Sequence, residues 1–160
     1  MMTPSDPASW KLPRLRIDRD GVWYAEEGEV SHPGILANFV QNLRVDAQGH
    51  YLQIGPARVP VDVEDAPFVV LRLERDGDGF AITLNDMTRE ALDPTTLTVA
   101  ADGVPHCRVK GARFTARLSR AATWQLLQHV APGGPGRAPA LVVGGVRHPL
   151  SGLTEAAAGD

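Results

Sequence analysis

Apolar and polar residues alternate along most of this chain, and in only two places does the period lengthen to that of a helix. Leu15-Arg16-Ile17-Asp18-Arg19 alternates strictly, meets the turn pair Asp20-Gly21 and continues as Val22-Trp23-Tyr24, which predicts a β-hairpin. From Ser31 the period changes. Ile35, Leu36, Phe39, Val40 and Leu43 share one side, Ser31 is placed as the cap and Pro33 lies in the first turn, so a helix is expected over 32–45. Tyr51 to Ile54, the Gly55-Pro56 turn and Val59 to Val63 predict a second hairpin.

Further on, Phe68-Val69-Val70-Leu71-Arg72-Leu73 suits a buried strand, folded by Asp76-Gly77-Asp78-Gly79 onto Phe80 to Leu84, with another strand at Leu97 to Ala100. After Pro105 two strands flank Lys110-Gly111. Ser119 then opens a second helix, with Ala121, Trp124, Leu127 and Val130 on one side and the Gly/Pro-rich loop from Pro132 to Pro139 ending it. Trp124, Leu127 and Phe39 are expected in the core, because apolar residues at helical spacing are usually buried. Ala140 to Val143 and Val146 to Leu150, across Gly144-Gly145, complete the pattern.

The last hairpin repeats an earlier one. YLQIGPARVPV at 51–61 aligns without a gap to ALVVGGVRHPL at 140–150, matching Leu52/Leu141, Gly55/Gly144, Arg58/Arg147 and Pro60/Pro149. Upstream, Ser31, Leu36 and Phe39 correspond to Ser119, Trp124 and Leu127, and Gly21 to Gly111. The fold expected is α+β: a duplicated hairpin-helix-hairpin unit, each copy an antiparallel sheet with one packed helix. The boundaries are an N-terminal tail at 1–13, repeats at 14–66 and 67–150, and a C-terminal tail at 151–160, both tails loosely held. A seam between copies is a common place for a ligand pocket.

Composition narrows the chemistry. At 160 residues the chain can bury a core without disulfides or metal. A formal net charge of −3 offers no general attraction to DNA, RNA or an acidic membrane. No apolar run reaches the roughly 20 residues needed to span a bilayer, and the start, MMTPSDPASW, lacks the basic and apolar segments of a signal peptide. The one cysteine, Cys107, suits a reducing compartment, so a cytoplasmic protein is expected with Cys107 as a small core residue. The five histidines are scattered, with no metal-ligating spacing. There is no nucleophile elbow and no phosphate-binding glycine loop, so neither catalytic residues, metal nor cofactor is expected.

Charge is unevenly placed. Arg108, Lys110, Arg113, Arg117 and Arg120 lie in a stretch without acids, whereas 62–93 holds nine acids against three arginines. As a strand, the segment puts Arg113, Thr115 and Arg117 on one face, and with the free amides at the Ser119 helix start it can hold a phosphate or carboxylate. The competing reading is a solvated face, or pairing with Glu64 and Asp65. Trp23 and Tyr51, near strand ends, are candidates for stacking on a planar ligand, with a core role as the structural alternative.

Asp20-Gly21-Val22-Trp23, Gly49-His50-Tyr51-Leu52, Val63-Glu64-Asp65-Ala66-Pro67-Phe68 and Ala116-Arg117-Leu118-Ser119-Arg120 together resemble the bacterial domain-of-unknown-function family 1285, over about residues 14 to 150. The resemblance implies a domain duplication, a C-terminal half like pleckstrin-homology folds, and a ligand site at the junction of the halves. A nucleotide-like ligand and a role in signal transduction come with it, and no established activity. Two positions depart from the family pattern: Pro56-Ala57-Arg58 replaces a Pro-Glu-Lys-like turn, and His106 stands where an aromatic is usual.

The expectation is therefore a non-enzymatic binding or sensor module for a small anionic ligand, contacted by Arg108, Arg113 and Arg117 with Glu64 and Asp65 opposite. The alternative is an adaptor that binds a protein partner along an edge strand or the groove beside helix 120–130. The weakest alternative is an enzyme using Cys107 or a histidine.

Overall fold

The computed structural model describes residues 14–150 apart from 27, 134 and 137. Both expected tails lie outside the described residues. Among the described residues two α-helices and fifteen strands, in sheets of six, six and three, make the fold α+β, and the chain divides into two units between Asp65 and Ala66.

The N-terminal unit runs β1 (Leu15–Ile17), β2 (Trp23–Ala25), β3 (Gly28–Glu29), α1 (Pro33–Asn42), β4 (Leu43–Asp46), β5 (Gly49–Ile54) and β6 (Ala57–Val63). Its strands form one sheet in the order β3-β2-β1-β6-β5-β4. Alternation selects the inner face: Leu15, Ile17, Trp23, Leu52, Val59 and Val61 are buried while Arg16, Arg58 and Asp62 point outward. At the first turn the Asp18 carboxylate accepts from the amides of Asp20 and Val22, and Gly21 takes φ 81°, where a side chain would be strained.

Helix α1 is shorter than its periodicity suggests. His32 caps it instead of Ser31, its Nδ1 accepting from the amides of Gly34 and Ile35, and the chain leaves the helix at Leu43 to form β4. Leu43 fits both patterns because it is the last apolar residue of the helix period and the buried residue of β4, opposite Leu52. Of the expected apolar face, Leu36, Phe39 and Val40 are half-buried and Ile35 is exposed.

The C-terminal unit carries β7 (Phe68–Asp76), β8 (Gly79–Leu84), β9 (Arg89–Ala91), a single 3-10 turn (Pro94–Thr96), β10 (Thr98–Val99), β11 (Pro105–Val109), β12 (Phe114–Leu118), α2 (Arg120–Leu127), β13 (Val130–Ala131), β14 (Ala140–Val143) and β15 (Val146–Pro149). The first six strands form a sheet in the order β10-β11-β12-β7-β8-β9, and the last three a separate sheet. The hairpin-helix-hairpin order recurs in both units, and the matched turn glycines Gly55 and Gly144 share one backbone state, φ 56° and 58°. The six-stranded sheets are mixed rather than antiparallel, since β1 lies parallel to β6 and β12 parallel to β7. In each case the chain returns to the neighbouring strand through a long crossover, as parallel pairing requires.

Helix α2 starts where expected but presents a different side. Ser119 ties its start to the sheet: its amide donates to the Val70 carbonyl at 2.9 Å and its Oγ accepts from the Ala122 amide at 3.1 Å. The Gln125 Oε1 accepts from the Leu73 amide at 2.7 Å. These ties turn Ala122 and Leu126 into the core at 0 % exposure and leave Trp124 64 % and Leu127 41 % exposed. The expectation that Trp124 and Leu127 are core residues is therefore corrected: two apolar stripes competed, and the polar tethers chose the one with the smaller side chains.

Candidate functional site

The basic stretch 108–120 is less open than its charge implies. On the hairpin β11–β12, Arg108 lies opposite Thr115 and His106 opposite Arg117, so these four share one face. Arg113 is not among them, because β12 begins at Phe114 and Arg113 sits in the preceding turn. Its Nε donates to the Lys110 carbonyl at 3.1 Å. Arg108 gives Nε and Nη2 to the Ala112 carbonyl at 3.3 and 3.0 Å and Nη1 to Thr115 Oγ1 at 2.8 Å. Arg117 stands 3.8 Å from Asp102.

The other expected contact residues lie in the N-terminal unit. Glu64 accepts from the Arg19 amide at 3.0 Å and pairs with the Arg19 guanidinium at 3.5 Å, which fastens the β1–β2 turn to the end of β6. Asp65 follows it as the last residue of the unit. Trp23 is a core residue, 4 % exposed and 5.3 Å from the Phe39 ring. The face of Tyr51 is covered at 3.6 Å by the Arg58 guanidinium, which also meets Asp46 at 2.9 Å. The Gln48 amide and Arg58 hold the Asp46 carboxyl below the usual range.

Cys107 is 1 % exposed, and burial, reinforced by Glu90, pushes its thiol up to about 12. Negligible thiolate exists at neutral pH, so in the native protein Cys107 is expected to react with a disulfide reagent at least about a hundredfold more slowly than a free cysteine. Full reactivity should return on unfolding in denaturant; rapid labelling of native protein would contradict the assignment. Among the described residues no group of three or more His, Cys, Asp or Glu is placed to hold a metal ion, and no helix is long and apolar enough to cross a membrane.

Outside the basic stretch, where Arg120 is exposed at the start of α2, two further arginines keep their guanidiniums available. β12 pairs with β7 only over Phe68–Val70, and a bulge between Val70 and Arg72 then carries β7 on to Asp76 with β8 alone beside it. Helix α2 crosses next to this stretch. Between them runs an open groove of about 410 Å³ lined by Arg72, Leu73, Glu74, Arg75, Gln125, Gln128 and His129. Glu74 is turned to Arg89 at 3.4 Å. Arg75 lies 5.2 Å over the Phe80 ring, on which His129 also rests at 5.0 Å. Neither Arg72 nor Arg75 has an ion-pair or hydrogen-bond partner for its guanidinium among the described residues. Sequence reasoning passed over both because they fall within an acidic stretch. The signal available was their spacing: three residues apart on one strand, they project from opposite faces.

Neither a protein-family model nor a curated protein matches the sequence. Two crystal structures share its fold. A DUF1285 family protein from Shewanella baltica OS155 is 20 % identical with a TM-score of 0.61, over 72 % of this chain and 91 % of that one. Another from Silicibacter pomeroyi DSS-3 is 22 % identical with a TM-score of 0.72, over 94 % and 88 %. The chain thus has the fold of a domain-of-unknown-function protein. Both of those proteins belong to DUF1285, the family that the short sequence blocks of this chain also resemble.

Proposed function

We propose that the chain is a divergent DUF1285 protein acting as a non-enzymatic binding or sensor module, and that its ligand carries negative charge and enters the groove between β7 and α2. The observation that carries this reading is the pair of guanidiniums, Arg72 and Arg75, that have no ion pair or hydrogen bond among the described residues and flank one groove with His129 and two glutamine side chains. Guanidiniums bind carboxylate and phosphate through paired hydrogen bonds, and glutamine amides add neutral donors beside them. Arg108 and Arg113 are spent on carbonyls of their own turn, which favours the groove over the β11–β12 face for the anion. The C-terminal unit, a six-stranded and a three-stranded sheet with one helix, is read as pleckstrin-homology-like.

A ligand that binds only the native state raises the apparent stability by mass action, about 2.7 kcal/mol at a hundred times Kd. A thermal-shift screen with nucleotides, sugar phosphates and di- and tricarboxylates is expected to find a dose-dependent rise that disappears in Arg72→Ala/Arg75→Ala. Both side chains are exposed, so the variant itself should melt as the parent does. A rise retained in the double variant overturns the assignment of the groove.

A further inference from the structure

We infer that the occupant of the groove is an extended acidic peptide segment that pairs with β7 along the part of its edge left open at Arg75; this rests on the anionic reading above and names the partner. Strand β7 has neighbours on both sides only at its start. From Arg72 to Asp76 its one strand neighbour among the described residues is β8, and the bulge at Leu71 marks the point where two-sided pairing stops.

The direction of the open backbone groups follows from two hydrogen bonds. Ser119 Oγ reaches the Leu71 carbonyl at 3.4 Å and Gln125 Oε1 takes the Leu73 amide at 2.7 Å, so residues 71 and 73 direct these groups away from β8. Strand geometry repeats every second residue, which puts the amide and carbonyl of Arg75 on the same edge. No side chain among the described residues reaches them. Proteins generally cover, twist or charge such an edge, and an incoming chain uses it as a template.

Charge specifies the incoming chain. Arg72 and Arg75 stand on opposite faces of β7 and bracket the edge, so a strand laid alongside meets one guanidinium on each face. That pattern suits acidic side chains at an odd spacing, such as three residues apart, one directed to each face. Arg75 also lines a second open cleft of about 350 Å³, together with Gly77, Asp78, Val142, Gly144 and Gly145. A compact anion would use the guanidiniums alone. An extended chain also satisfies the backbone of Arg75.

The test is an array of blocked hexapeptides with glutamate fixed at the second and fifth positions and Val, Ile, Thr or Leu elsewhere. The best binder is then titrated by fluorescence anisotropy against the whole protein. Saturable binding is expected, weakened about tenfold or more by Arg72→Ala/Arg75→Ala and by backbone N-methylation of the peptide on its pairing side, which removes hydrogen bonds without changing charge. Amide exchange at Arg75 should slow when the peptide is bound. Binding that survives N-methylation, or an array on which glutamate-fixed peptides bind no better than lysine-fixed ones, overturns strand addition. If small anions still give the Arg72- and Arg75-dependent thermal shift, the anion-binding reading stands without it; if they do not, both fall.

Discussion

Leu126→Ala is expected to destabilise the protein by about 2–5 kcal/mol, the usual cost of emptying a filled core site, whereas Trp124→Ala, two residues away, should change stability by no more than about 0.5 kcal/mol. The contrast inverts what residue size alone suggests. Leu126 is 0 % exposed and Trp124 64 % because the helix is held by Ser119 at its start and by Gln125 against the Leu73 amide. Truncating Leu126 leaves a cavity beneath α2, while truncating Trp124 removes a side chain already mostly in water. Urea unfolding of the two variants separates the cases. A larger loss from Trp124→Ala than from Leu126→Ala would mean that α2 packs through its other stripe.

Lys110→Met should cost on the order of 2–3 kcal/mol, somewhat below the loss for breaking a fully buried ion pair. Lys110 sits in the β11–β12 turn with a left-handed φ of 56°, and its Nζ lies 2.7 Å from Asp86 Oδ2 and 2.9 Å from Thr88 Oγ1. Its amide donates to the Glu90 carboxylate at 3.2 Å, so one residue joins the β8–β9 turn to the β11–β12 turn. The side chain of Asp86 is 9 % exposed and that of Lys110 22 %; without the ammonium, a largely desolvated carboxylate keeps only its short-range contacts with Thr88.

The pair also sets a pH dependence. Burial acts to raise the Asp86 pKa, but hydrogen bonds from Lys110 and Thr88 outweigh it and leave the carboxyl below its ordinary value of 3.8. A depressed folded-state pKa means that the contribution is present above the unfolded value and is lost as pH falls through the folded one. The difference in stability between the parent and Lys110→Met, followed by urea unfolding from neutral pH downward, should therefore shrink below about pH 4. A difference that stays constant into strong acid would show that the Lys110–Asp86 contact is not what the substitution removes.

Much of the fold was legible because turns and caps act locally. Asp20-Gly21, Gly55-Pro56, Gly77-Asp78 and Gly144-Gly145 all mark hairpin turns, and Ser119 caps α2 as its position suggests. Periodicity failed where one residue satisfied two patterns, as Leu43 does at the end of α1. It failed again on α2, where choosing between apolar stripes depended on a bond from Gln125 to a residue 52 positions earlier.

The groove was illegible for a related reason. It exists because β12 stops three residues into β7 and α2 then turns beside the uncovered remainder, a consequence of parallel pairing that no local signal carries. Basic residues in sequence proved a poor guide to available charge. Arg108 and Arg113 stand beside a tight turn whose carbonyls absorb them, whereas Arg72 and Arg75 lie among acids yet form no ion pair among the described residues, Glu74 between them being held by Arg89.

The most direct measurement of the central claim is the position of amide shifts in a two-dimensional NMR titration of the isotope-labelled protein with the tightest anion from the thermal screen. The account predicts that the shifting resonances cluster at residues 72–75 and 125–129 and stay still in Arg72→Ala/Arg75→Ala. Shifts concentrated at Arg108, Thr115 and Arg117, with the groove unmoved, would contradict it and return the anion site to the β11–β12 face.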